Sequence, residues 1–281
     1  MSDPETPVTV VVDDVHVTYR VPSEAPSGHN SGRRGARKLL GYARGHATHA
    51  SVPALQGISL VAHEGESIGI VGRNGSGKST LLRTIAGLTL PTRGRVLADG
   101  TPVLLGVSAA LMPNLSGKRN VILGGLAMGL SRDEVEARFD DVVDLAGIGS
   151  AIHRPMRTYS SGMSARLSFA IATAARPHVL LIDEALNTGD AEFRDRSQDR
   201  MKELQSSAGT VFLVSHSLTT VTRTCNRAVW IDSGRLRVDG PANPVVTAYR
   251  EYFNLSRAEQ QAGRPKPPPP WEAGSPIEMP V

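Results

Sequence analysis

Cysteine occurs once in 281 residues, as Cys225. A lone thiol closes no internal disulfide and completes no multi-cysteine metal site, which points to a reducing compartment and to a small packed hydrophobe. Lysine is scarce too, five residues against 26 arginines. Arginine keeps its charge and forks onto phosphate or carboxylate, so anionic partners suit the composition. The net charge is only +4, too small an excess for a protein that coats nucleic acid. No apolar run approaches the roughly 18 residues needed to cross a bilayer. The opening residues, Met1-Ser2-Asp3-Pro4-Glu5, carry acid where a secretory signal needs positive charge and then an apolar run. These absences predict a soluble, intracellular chain to which a membrane surface stays open. Apolar residues at 40% and charged residues at 21% supply a packed core. The length fits one large domain with additions, or two small ones.

Val8–Val12 and Val15–Val21 flank Asp13-Asp14 and read as two strands with a turn. Residues 22–51 break that pattern with Pro22, Pro26 and five glycines, and no acid lies between Glu24 and Glu64. Arg33, Arg34, Arg37, Lys38 and Arg44 cluster in this basic insert beside His29, His46 and His49. Strand signals resume at Ile58–Leu60 and Ser67–Val71, and a helix is expected from Ser79. Thr92-Arg93-Gly94 opens an expected short strand pair through Val103–Leu105. The pattern then turns helical, with apolar residues at Val121, Leu123, Leu126 and Met128, then at Val135, Phe139, Val142, Val143 and Leu145. Strands return at Val179–Ile182, Val211–Val214 and Ala228–Ile231. Alternating strands and helices predict an α/β domain with a mainly parallel sheet, and the helical stretch over about 107–176 an inserted subdomain. Past Arg264, prolines at 265, 267–270, 276 and 280 predict a stiff, disordered tail within 256–281.

The strongest motif is Gly72-Arg73-Asn74-Gly75-Ser76-Gly77-Lys78-Ser79, followed by Thr80. It matches G-x-x-x-x-G-K-[ST], with an expected strand before it and a helix after it, the context a phosphate loop requires. Glycines let the backbone turn its N–H groups inward as an anion nest, and the helix N-terminus adds positive dipole. Lys78 would reach the β- and γ-phosphates, and the Ser79 hydroxyl would coordinate Mg²⁺. The second element is Val179–Ile182 followed by Asp183-Glu184. A buried strand ending in two carboxylates is expensive unless they meet a cation or do chemistry. Asp183 would hold the Mg²⁺, and Glu184 would polarise an attacking water as general base. A lone Asp-Glu pair is commonly an exposed turn; the phosphate loop upstream favours the functional role. Tyr159-Ser160-Ser161-Gly162-Met163 opens an apolar helix, either as a second anion cradle or as a plain helix cap. Asn187–Asp190 follows the carboxylates, and His216 ends a strand where α/β ligands gather.

In this order, the residues resemble the nucleotide-binding domain of ABC transporters over about residues 7–255. Gly72–Ser79 looks like Walker A, Tyr159–Met163 the signature, Val179–Glu184 Walker B, Leu186–Asp190 the D-loop and His216 the switch histidine. The resemblance implies a RecA-like P-loop NTPase core with an inserted α-helical subdomain and an antiparallel β edge. It also implies ATP and Mg²⁺ at a head-to-tail homodimer interface, where Ser160 and Gly162 of one copy meet the γ-phosphate held by the other, and a separate transmembrane permease as partner. Lys78, Glu184 and His216 would be the catalytic residues. Tyr19 lies near the family's adenine-stacking aromatic, or is simply a strand tyrosine. The Ser-Ser-Gly-Met signature, the insert, and the lack of a Q-loop glutamine in Leu104–Met112 resemble the polysaccharide-exporter branch, which moves O-antigen, teichoic acid or cell-wall galactan. That implies a peripheral place on the cytoplasmic face of the plasma membrane and no nucleic-acid partner. The insert is then either a solvated loop or, over residues 33–44, a short helix against lipid headgroups. The ATPase of an importer or drug-efflux system shares the catalytic motifs. A soluble ABC ATPase acting on nucleic acid fits less well, because Lys78 and Ser160 are only 82 residues apart and there is one cassette.

Overall fold

The computed structural model describes residues 6–22, 49–105, 111–175, 177–183 and 191–261. The valine-rich start forms one strand, β1 (Val8–Pro22), where a turn was expected in the middle. It pairs antiparallel with β2 (His49–His63): Val12 lies opposite Leu60, Val15 opposite Ile58, and the ladder runs on to Pro22 opposite His49. Asp13-Asp14 makes a bulge inside that ladder, with Asp14 at φ 44° and its N–H donating to Ser59 Oγ at 3.0 Å. Aspartate tolerates the left-handed region, so two polar residues bend a strand here without ending it. The insert therefore shrinks to residues 23–48 between the two arms of a hairpin, and those residues, including Arg33 to Arg44, lie outside the described residues.

β4 (Arg93–Ala98) joins the free edge of β1, giving a three-stranded antiparallel sheet in the order β2-β1-β4. β5 (Val103–Leu105) does not pair with β4 as expected; it enters a second sheet beside β6 (Val179–Asp183). The reason is visible in exposure. All three β5 residues are buried, which suits a parallel sheet covered on both faces, whereas β4 keeps one face to solvent. The second sheet has six strands, ordered β5-β6-β7-β3-β8-β9, with β3 at Ser67–Val71, β7 at Thr210–Val214, β8 at Arg227–Asp232 and β9 at Arg235–Pro241. Its pairs are parallel except β8 with β9, a hairpin closed by Ser233 at φ 51° and Gly234 at φ 76°. Ser-Gly between strands is a tight-turn signal because both positions need positive φ.

Alternate residues of the six-stranded sheet feed two cores. Ile68, Ile70, Leu181, Phe212 and Val229 face the antiparallel sheet and α1 (Lys78–Ile85), whose Leu81, Leu82 and Ile85 fill the gap. Leu180, Leu213 and Trp230 face the other way, toward α6 (Ala191–Ser207), α7 (Leu218–Thr224) and α8 (Ala242–Gln261). Cys225 packs in this second core at the end of α7, as a small apolar group. A third core belongs to α2 (Gly117–Ala127), α3 (Arg132–Ala137), α4 (Phe139–Ala146) and α5 (Ser161–Ala172), where Val121, Val135, Val142 and Leu167 meet. Serines 116, 131 and 160 cap α2, α3 and α5 with side-chain oxygens that accept backbone N–H bonds. Among the described residues no helix is long and apolar enough to cross a membrane.

Candidate functional site

β3 ends at Val71, and residues 72–77 loop from it into α1. In register, Ile70 faces Val214 and Val214 faces Asp183. The C-terminal ends of β3, β7 and β6 are thus level. The loop, Ser215-His216 and Asp183 share one edge of the sheet, the edge where parallel α/β sheets gather ligands.

Within the loop, Gly72, Gly75 and Gly77 sit at φ 154°, 78° and 109°. Gly72 lies against the Ile231 carbonyl too closely to admit a Cβ, and a Cβ on Gly77 would stand 2.6 Å from the Ala54 carbonyl. β2 and the β8–β9 turn therefore grip the loop from outside, helped by the Gly234 N–H donating to the Ser76 carbonyl at 2.9 Å. Lys78 is only 8% exposed. Its Nζ donates to the Gly72 and Arg73 carbonyls, at 2.8 Å each, which makes burial of the ammonium tolerable. Ser76 Oγ is buried and finds no hydrogen-bond partner among the described residues. Among the described residues the first turn of α1 holds no acid and no side-chain cap, which leaves the positive end of the helix dipole without a compensating side chain. An orphan hydroxyl, an ammonium resting on carbonyls and a bare helix N-terminus together fit a polyphosphate.

Asp183, half-buried, and the exposed Ser79 hydroxyl are the oxygen donors available to a cation there. Among the described residues no cluster of three or more His, Cys, Asp or Glu side chains forms a metal cage. Mg²⁺ keeps waters and phosphate oxygens as most of its ligands, so a hydroxyl and a carboxylate are donors of the kind it takes. His216 is exposed on the same edge. Glu184 and Asn187–Asp190 lie outside the described residues, as does the stretch 106–110 where a Q-loop glutamine was sought.

Two expected residues belong to other parts of the molecule. Ser160 caps α5 in the helical layer, where its Oγ accepts the Met163 N–H at 3.2 Å. Gly162, two residues on, has among the described residues nothing nearer its missing Cβ than Ser160 Oγ at 3.9 Å, so packing against them does not explain a glycine there. Tyr19 is 38% exposed on β1, opposite Val52. It stands two residues beyond Val17, whose partner Leu55 touches the position a Gly77 Cβ would take. Sequence reasoning passed over Gly234, although its Ser-Gly turn was legible, and over Phe253, whose ring lies under the Arg73 guanidinium.

A mainly parallel sheet with a phosphate loop at its C-terminal edge defines a P-loop nucleotide-binding fold. Residues 55–187 match the family described as ABC transporter. The teichoic acids export ATP-binding protein TagH of Staphylococcus haemolyticus is 37% identical over 75% of this chain and 81% of its own length. The O-antigen export system ATP-binding protein RfbB of Myxococcus xanthus is 42% identical over 81% of this chain, and TagH of Bacillus cereus 43% over 74%. This chain belongs to the ABC transporter family, and its relatives lie in the polysaccharide-exporter branch. It spans 53% of the Myxococcus protein and 39% of the Bacillus protein, about half or less of each. Among solved structures, a dimeric ATP-binding cassette in a post-hydrolysis state with ADP and Pi aligns over 83% of this chain at TM-score 0.60 and 21% identity. The ATP-binding subunit of an ABC transporter aligns over 87% at 0.61. These two establish the fold.

Proposed function

We propose that this chain is the ATP-binding and ATP-hydrolysing subunit of an exporter that moves a lipid-linked polysaccharide through a separate transmembrane permease. The observation that carries the ATP half is the phosphate cradle: buried Lys78 held on two carbonyls beside the orphan Ser76 hydroxyl. The names of the relatives support the polysaccharide half. Loop N–H groups and the start of α1 hold the phosphates, and the Lys78 amine moves from the carbonyls to the β/γ oxygens. Ser79 and Asp183 hold Mg²⁺, which when bound neutralises phosphate charge. Glu184 accepts a proton from the attacking water, and His216 orients that water. Ser160 and Gly162 of a second copy close over the γ-phosphate, which gives the otherwise unexplained glycine a reason: close approach of backbone to ligand. Tyr19 offers its flat ring to adenine. In this reading residues 7–255 form the ATPase domain and 107–176 its helical part; the tail expected over 256–281 starts later than that, because α8 carries the helix on to Gln261. The homodimer sits on the cytoplasmic face of the membrane, with residues 33–44 at lipid headgroups and no nucleic-acid partner.

Turnover measured with the full chain and its permease in liposomes tests both halves. Lys78→Ala is expected to cut MgATP hydrolysis by about 10²–10³-fold. A lipid-linked glycan is expected to stimulate the unaltered complex. Hydrolysis that survives Lys78→Ala contradicts the ATP half, and stimulation by a small solute but not by the glycolipid contradicts the other.

A further inference from the structure

Aromatic residues make up 4% of the chain, twelve in all, and four of them meet at one place. Trp230 of β8 is fully buried; Tyr249, Tyr252 and Phe253 come from α8. Trp230 and Tyr249 meet edge-on with centroids 5.2 Å apart, Tyr249 and Phe253 are 4.7 Å apart, and Tyr252 and Phe253 5.1 Å. Such pairs add rigidity beyond the apolar area they bury.

The cluster stands at the foot of the phosphate loop. Trp230 is the register partner of Val71, the residue before Gly72, and Gly72 abuts the Ile231 carbonyl. From the loop, the Arg73 guanidinium lies over the Phe253 ring, 5.9 Å from its centroid. Burial pushes the Tyr249 phenol up from its ordinary value, and the Arg73 charge opposes that rise, a sign that the cation is near this ring as well. The Arg73 carbonyl is one of the two acceptors of Lys78 Nζ. A continuous path therefore runs from ring to guanidinium, to the backbone of residue 73, to the lysine amine.

We propose that Phe253 is a positioning residue for the phosphate loop: its ring pins Arg73 and so sets the resting place of the Lys78 amine, letting α8 tune nucleotide affinity. This rests on the nucleotide reading given above. A ring that only filled space would be replaced adequately by leucine. A ring that holds a cation would be replaced only by another ring.

The test uses the full chain and a fluorescent, non-hydrolysable ATP analogue with Mg²⁺, followed by steady-state hydrolysis. Phe253→Leu is expected to raise Kd and KM about two- to five-fold, with kcat at saturation changed by less than about twofold. Phe253→Tyr is expected to behave as the unaltered chain. Arg73→Met is expected to raise Kd similarly, and adding Phe253→Leu to it to raise Kd no further. Equal behaviour of the Leu and Tyr variants, or additive losses in the double variant, overturns the proposal. Should Phe253→Leu fail to fold, Arg73→Met on its exposed loop still decides, since unchanged affinity there also overturns it. An unaltered chain that binds no analogue brings down the nucleotide reading instead.

Discussion

At the residue scale the phosphate loop combines two kinds of glycine, and they make different predictions. Gly75 and Gly77 both hold positive φ, which costs an alanine roughly 1–2 kcal/mol. Among the described residues Gly75 has nothing within 4 Å of its missing Cβ, whereas Gly77 has the Ala54 carbonyl at 2.6 Å and Leu55 Cδ2 at 2.9 Å. Gly77→Ala must therefore also push β2 away from the loop. It is expected to lower Tm and weaken nucleotide binding clearly more than Gly75→Ala does. Equal Tm values in a thermal scan of the two variants would contradict the close packing of β2 on the loop. The motif residues were legible because their chemistry is local: a glycine, lysine, serine run needs only the strand before it and the helix after it. The grip of Gly234 and Phe253 on the loop was not legible, because it depends on which strand lies beside β3 and on which face of α8 turns inward.

At the element scale α3 has a complete capping box. Ser131 Oγ accepts the Glu134 N–H at 3.3 Å, and Glu134 Oε2 accepts the Ser131 N–H at 2.8 Å. Glu134 Oε2 also accepts the Ser131 hydroxyl at 2.8 Å, and the two bonds donated to it, from the Ser131 backbone N–H and then from the hydroxyl, hold the Glu134 carboxyl below the usual glutamate value. A carboxylate whose pKa is depressed by folding stabilises the helix fully above its unfolded value of about 4.3 and ceases to do so as pH falls through the folded value. Hydrogen exchange at Ser131 and Glu134 is expected to lose protection on acidification below that value, and the pH dependence is expected to vanish in Glu134→Gln. An identical acid response in both proteins would contradict the capping assignment. The same scale shows where sequence patterning misled. Asp13-Asp14 carries the composition of a turn, yet the valines on either side all find partners on β2, and the pairing outweighs the break. Residues 93–105 held two strand signals close together, but half-exposed β4 and fully buried β5 belong to different sheets.

At the scale of the molecule, the division of alternate strand residues between two cores fixes where chemistry can happen. Both faces of the parallel sheet are covered, so its C-terminal edge is left to bind. That edge carries the loop, Asp183 and His216, while Ser160 caps a helix elsewhere and Gly162 lies in that helix's first turn. In the proposed reading one chain presents two incomplete halves, and a head-to-tail pair of copies would complete two sites. The alternation of strands and helices made the parallel sheet legible in advance. The proposed pairing of copies rests on the family resemblance alone, since nothing in a single chain's hydrophobic pattern encodes it. The most direct test is the mass of Glu184→Gln in solution with and without MgATP, read by sedimentation alongside its turnover. The account predicts a nucleotide-dependent dimer that retains ATP. A monomer that hydrolyses ATP at the unaltered rate would contradict it.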